Sequence, residues 1–97
     1  MPNIVRKEKS IERAFVVWVG GFKDWYAWKF SPEGTRGLPD RIILGPGGIV
    51  FFIEFKRPGG KVTPLQNHIH GILKDLGFNV YVCDDVAEAK KIVRSYF

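Results

Sequence analysis

From about Glu8 to Val19 the apolar residues Ile11, Ala14, Phe15 and Trp18 recur three and four apart, the stripe of an amphipathic helix, which Gly20-Gly21 stops. The period then changes. Trp25-Tyr26-Ala27-Trp28-Lys29-Phe30 is an aromatic run that favours a strand, and the apolar runs Arg41 to Leu44 and Ile49 to Lys56 flank Gly45-Pro46-Gly47-Gly48, the tightest turn chemistry in the chain. They predict a hairpin. Thr63-Pro64 supplies an N-cap and a first-turn proline for a second helix, whose stripe is Leu65, Ile69, Ile72, Leu73 and Leu76 and which ends at Gly77. Phe78 to Cys83 gives a fourth strand. Asp84 or Asp85 caps a last helix, running to about Tyr96, with Val86, Ala89, Ile92 and Val93 turned inward. Residues 1 to 7 show no periodicity and read as a short, loosely held basic lead-in. The expected fold is one α/β domain over residues 1–97, in the order αβββαβα. Its mixed four-stranded central sheet is flanked by helices, and the strand-helix-strand crossover makes one strand pair parallel.

A chain of 97 residues supports a single modest core. No apolar run approaches the ~20 residues that span a bilayer, and Met-Pro-Asn-Ile-Val-Arg lacks a signal layout, so a cytoplasmic protein with no membrane role is expected. Cys83, the sole cysteine, sits in an apolar run and reads as a small buried hydrophobe. The 15 Lys+Arg against 10 Asp+Glu give a net charge of +5, which suits a polyanion or merely a well-solvated surface. The first reading gains weight because Lys29, Arg36, Arg41, Lys56, Arg57 and Lys61 surround an acidic pair, where a phosphate backbone would need them.

That pair is Asp40 and Glu54, which the hairpin brings to one end of the sheet. Side chains alternate along a strand, so Glu54 and Lys56 share a face while Phe55 points away. Pro39 has no N–H, which places Asp40 at a strand's beginning, not mid-sheet. On the first helix Glu8 and Glu12 lie four apart, beside the apolar stripe. Either could follow the buried edge toward the strands, or both could be surface glutamates near a helix N-terminus. His68 and His70 are separated by about 200° on a helix, so they cannot chelate one ion together. They read as helix surface, His70 with a path to the site from the Gln66 side.

Two carboxylates are hard oxygen donors that suit Mg²⁺ or Mn²⁺. Beside a lysine and within a basic surface, such an ion supports phosphodiester hydrolysis. There is no phosphate-binding Gly-x-x-x-x-Gly-Lys loop, no Cys/His zinc spacing and no nucleophile elbow. Two other classes remain to compare: a non-catalytic nucleic-acid-binding module, which would gain nothing from carboxylates facing phosphate, and a sequence-reading restriction-type enzyme, which needs more chain to read base edges.

Pro39-Asp40, followed after a hairpin by Glu54-Phe55-Lys56, resembles the PD-(D/E)xK nuclease superfamily and its restriction-endonuclease-like core. More closely it resembles the virus-type replication and repair nuclease (VRR-Nuc) domain, through Lys29-Phe30-Ser31-Pro32, Gly34-Thr35-Arg36-Gly37-Leu38-Pro39-Asp40-Arg41, Phe52 to Lys61 and Pro64-Leu65-Gln66. The likeness spans roughly Glu8 to Asp85. It implies that Asp40, Glu54 and the Phe55 carbonyl bind the metal and that Lys56 is catalytic. A first-helix glutamate would add an outer ligand, Glu12 as first choice and Glu8 second. Gln66 matches the family's glutamine, although Thr63-Pro64-Leu65-Gln66 is also a capping box that would occupy it. Lys29, Arg36, Arg41, Arg57 and Lys61 would contact DNA. By the same likeness the chain is a phage-encoded or bacterial, Holliday-junction-resolvase-like endonuclease, acting on branched or flap DNA in replication, repair or recombination. A homodimer is implied, with Trp18, Trp25 and Trp28 as candidates for its surface, and a helicase or replication protein is a conceivable targeting partner.

Overall fold

The computed structural model describes residues 2–97, with side chains from residue 7 onward. Helix α1 (Pro2–Val19) starts where a proline is well placed, because its ring-fixed φ suits the first helical position and its missing N–H would have had no partner there. The lead-in expected over residues 1 to 7 is thus helical from Pro2, with Met1 outside the described residues. Strands β1 (Tyr26–Lys29), β2 (Arg41–Gly45) and β3 (Ile49–Phe55) form an antiparallel meander. After α2 (Pro64–Asp75), β4 (Asn79–Cys83) returns parallel to β3, and α3 (Val86–Arg94) follows. The sheet order is β1-β2-β3-β4, with α1 and α3 packed together on one face and α2 against β4. The predicted order of elements and the parallel pair are both present.

Strand alternation sorts β3. Phe51, Ile53 and Phe55 turn to the α1 and α3 side, where they are at most 1% exposed among Phe15, Val19, Ala89 and Val93. Burying each such side chain stabilises the fold by roughly 1.5–3 kcal/mol. Phe52 and Glu54 turn the other way, toward α2. Core packing therefore fixes the side chain on which the acidic residue emerges. Cys83 is 1% exposed, and burial pushes its thiol up to about 12, so it behaves as the small hydrophobe expected.

The tryptophans divide. Trp25 is 7% exposed and lies over Gly45, where an added Cβ would come within 2.7 Å of the indole. It is core, not dimer surface. Trp18 is half-buried between Phe15 and Phe22, with the Arg94 guanidinium 5.2 Å from its ring. Only Trp28, 57% exposed beside Tyr26 on the edge strand, is open as predicted.

Candidate active site

The chain enters the site through a loop that its second helix holds. Gly37 adopts φ +82°, and an added Cβ would come within 2.9 Å of Leu65 on α2, so only glycine lets the loop lie this close. Buried Pro39 follows, and the Phe30 amide donates to the Asp40 carbonyl at 3.0 Å, extending the β1–β2 ladder by one step. Asp40 Oδ2 accepts from the Phe55 amide at 2.7 Å. This bond ties the acidic start of β2 to the acidic end of β3. Burial raises the Asp40 carboxyl above its ordinary value, outweighing the Phe55 N–H that favours its charge.

Glu54 is 3% exposed at the end of an apolar strand. Its Oε2 meets Lys56 Nζ at 3.6 Å and accepts from Gln66 Nε2 at 3.1 Å. Its Oε1 is buried with no partner among the described residues. Burial, then the Asp40 charge, push Glu54 up to about 7 in spite of Lys56. Lys56, 9% exposed, is held by its amide donating to the Cys83 carbonyl at 2.9 Å, which prolongs the parallel ladder past the strand.

Gln66 caps its helix and also contacts Glu54. Its amide oxygen accepts from the Thr63 amide at 2.9 Å while its backbone N–H donates to Thr63 Oγ1 at 3.1 Å, completing the capping box. The other end of the same side-chain amide reaches Glu54. A helix cap thereby fixes the rotamer of an acidic residue on another element.

The first-helix glutamates make different contacts, the charge of Glu12 acting on Asp40 and that of Glu8 on Glu54. Glu12, the first choice as outer ligand, has its Oε2 2.7 Å from Arg41 Nε and 3.5 Å from Lys29 Nζ, so its charge is already paired. Glu8 instead accepts from the Arg57 amide at 3.4 Å, and its charge acts on Glu54. No three His, Cys, Asp or Glu side chains among the described residues converge as a metal cage. Two hard carboxylates with one unpartnered oxygen suit an ion that completes its shell with backbone carbonyl, water and phosphate.

No family model matches the chain. A protein of Acyrthosiphon pisum secondary endosymbiont phage 1, named "Putative nuclease p44", is 43% identical over a stretch covering 80% of this chain and 83% of that one. A solved structure titled "VRR_NUC domain" superposes with a TM-score of 0.83 at 26% identity, covering 94% of this chain and 98% of the other. The chain belongs to the VRR-Nuc family of nucleases.

In this VRR-Nuc domain the basic residues named from the sequence lie on different elements. Lys29 and Arg41 are cross-strand partners facing α1, whereas Arg36 and Lys61 lie exposed on separate loops and Arg57 is half-buried beside Lys56. His68 is exposed as expected, but His70 is 3% exposed and its Nε2 has no partner. It stands one turn after Gln66, where burial, with Lys74 and Lys56 nearby, lowers its pKa. The signal for its burial was present: residues about 200° apart on a helix cannot both face solvent when one side of that helix is packed.

Proposed function

We propose that this VRR-Nuc domain is a Mg²⁺- or Mn²⁺-dependent endonuclease that hydrolyses phosphodiester bonds in branched DNA, of the Holliday-junction or flap kind. It would act as a homodimer in the cytoplasm, during replication, repair or recombination. The observation that carries the reading is the buried, unpartnered Oε1 of Glu54, beside a second carboxyl whose pKa is also raised. A buried carboxyl with one open oxygen, next to a second acid that raises its pKa, supports a cation between them.

Asp40, Glu54 and the Phe55 carbonyl would hold the ion, with Glu12 or Glu8 as the outer helix acid, the first acting on Asp40 and the second on Glu54. Such an ion, when bound, would supply Lewis-acid polarisation of a phosphoryl oxygen and would lower the pKa of a water so that it gives up a proton to solvent and is available as hydroxide near neutral pH. The Phe55 N–H keeps Asp40 in one orientation, and Gln66 does the same for Glu54. Lys56, packed against Glu54 and shielded from water, offers its ammonium to the attacking water or to the charge developing on the phosphate. Edge strand β1 carries exposed Tyr26 and Trp28, a surface on which a second copy can pair; a gel-filtration mass of one chain would remove the dimer.

The test is nicking of a four-way junction, a flap and plain duplex with Mg²⁺, Mn²⁺ or EDTA. The parent should cut branched DNA with either metal and nothing in EDTA, and Asp40→Asn and Lys56→Ala should be inactive. Equal cutting by those variants would overturn the site. Equal turnover of duplex and junction would remove the preference for branches.

A further inference from the structure

Across the start of β2 from the acidic pair lies a cleft of about 310 Å³ between α1 and the β1–β2 edge, lined by Lys9, Glu12, Arg13, Lys29 and Arg41 over Val16. Four cations surround one carboxylate. We infer that this cleft is a phosphate-binding subsite, which takes an internal phosphodiester of the DNA strand next to the one being cut. The inference rests on the nuclease reading above and adds Lys9 and Arg13 to the residues that read the substrate.

The cleft is built from two rigid elements. Lys9, Glu12 and Arg13 lie three and four residues apart and so share a side of α1, while Lys29 and Arg41, directly opposite one another in the β1–β2 register, project from the same face of the sheet. Arg41 is 17% exposed and held at two points, by Nε to Glu12 at 2.7 Å and by Nη1 to the Ala27 carbonyl at 3.1 Å. A guanidinium has five N–H donors, so about three remain for a ligand in a fixed orientation. Fixed guanidinium forks are the usual solution for phosphate oxygens. Glu12 serves here as the clamp that orders Arg41. Lys29 reaches Glu12 only at 3.5 Å and is 59% exposed, and Lys9 and Arg13 have no carboxylate within ion-pair distance among the described residues.

Position agrees with charge. Arg41 directly follows Asp40 at the start of β2, its side chain on the α1 face and that of Asp40 on the other, so cleft and acidic pair flank one strand end, and the charges of Glu12 and Lys29 act on Asp40. The larger cavity of about 620 Å³, lined by Lys7, Ser10, Ile11, Pro58, Asp84 and Asp85 with Val86, has two carboxylates against one lysine and is unsuited to phosphate.

The test is DNA binding without metal. Anisotropy of a labelled four-way junction with 5′-hydroxyl ends is followed in EDTA against an Asp40→Asn protein, over 50–200 mM salt. Lys9→Ala/Arg13→Ala in that background should weaken binding about tenfold and lower the salt slope by about two. Both residues are exposed on α1, so the fold should survive. The charge-matched Lys23→Ala/Lys91→Ala, at the opposite end of the sheet, should change affinity by less than about twofold. In cleavage assays the loss should fall in KM, not kcat. Equal weakening by the two double variants overturns the subsite, as does a loss seen only when the DNA ends carry 5′-phosphate, which would mark a terminal-phosphate site. If the Asp40→Asn protein fails to bind any DNA, the nuclease reading itself falls, whereas binding unaffected by Lys9→Ala/Arg13→Ala removes the subsite alone.

Discussion

Glu54 and Glu12 approach the same end of the sheet, and their side chains are nearly equally withdrawn from water, at 4% and 12% exposure. Their surroundings are opposite. Glu12 meets an arginine and a lysine, and its charge is spent on ordering Arg41. Glu54 has a lysine and a glutamine on one oxygen and nothing on the other, with a second carboxyl close enough to raise its pKa. Burial alone therefore does not mark a metal ligand. The proposed metal site rests instead on acceptor capacity left open at a point where leaving it open is costly.

The largest effects should break or uphold this contrast. Removing Lys56 or the Asp40 charge (Lys56→Ala, Asp40→Asn) should lower the cleavage rate by roughly 10²–10⁴-fold, whereas Glu12→Gln should cost less than about tenfold, since Arg41 retains the Ala27 carbonyl. Single-turnover rates at saturating DNA give the comparison. A Glu12→Gln protein as inactive as Asp40→Asn would put the two glutamates in one class.

Next in size is the pH dependence of stability without metal. Glu54 rises from 4.5 to about 7 on folding. Between those values the unfolded chain releases its proton while the folded chain keeps it, so stability should fall as pH rises through that window. Asp40, also raised, adds slope of the same sign at the acidic end. His70 works the other way, because its lowered pKa costs stability as pH falls below about 6.5. Melting temperatures of the parent minus those of Glu54→Gln isolate the glutamate, and saturating Mg²⁺ should flatten the difference. A difference that rises with pH in EDTA would contradict the assignment.

Smaller, and sharper, are the two ends of Gln66. Thr63→Ala removes the cap and should cost about 1 kcal/mol, or about 4–8 °C in a domain of this size, with little loss of cleavage. Gln66→Glu keeps an oxygen for the Thr63 amide but places a third carboxylate against Glu54. It should melt below the parent at pH 7, since Glu54 loses a donor and gains a like charge, and cut at least about tenfold more slowly, with Gln66→Ala also losing on both counts.

Much of this was legible from residue order. Alternation alone put Glu54 and Lys56 on one face and Phe55 on the other, because a strand buried on its Phe51, Ile53 and Phe55 side has no freedom to rotate. Helical spacing located Glu8 and Glu12 but not the partners of Glu12, which the edge strands bring up; that is a tertiary contact between residues 29 positions apart in the case of Arg41. The start of α1 at Pro2 was readable as a first-turn proline, yet no apolar period in residues 1 to 7 drew attention to it. Trp25 gave no local sign of burial. It sits in core only because Gly45, across the hairpin, leaves room for the indole.

The most direct measurement is carboxyl carbon NMR of the full chain during Mg²⁺ addition at pH 7. Glu54 and Asp40 should shift together, with Glu54 releasing its proton as the ion binds, while Glu12 stays within its starting envelope. Movement of Glu12 with Glu54 unmoved, or no response from any of the three, would contradict a divalent ion held between the ends of β2 and β3.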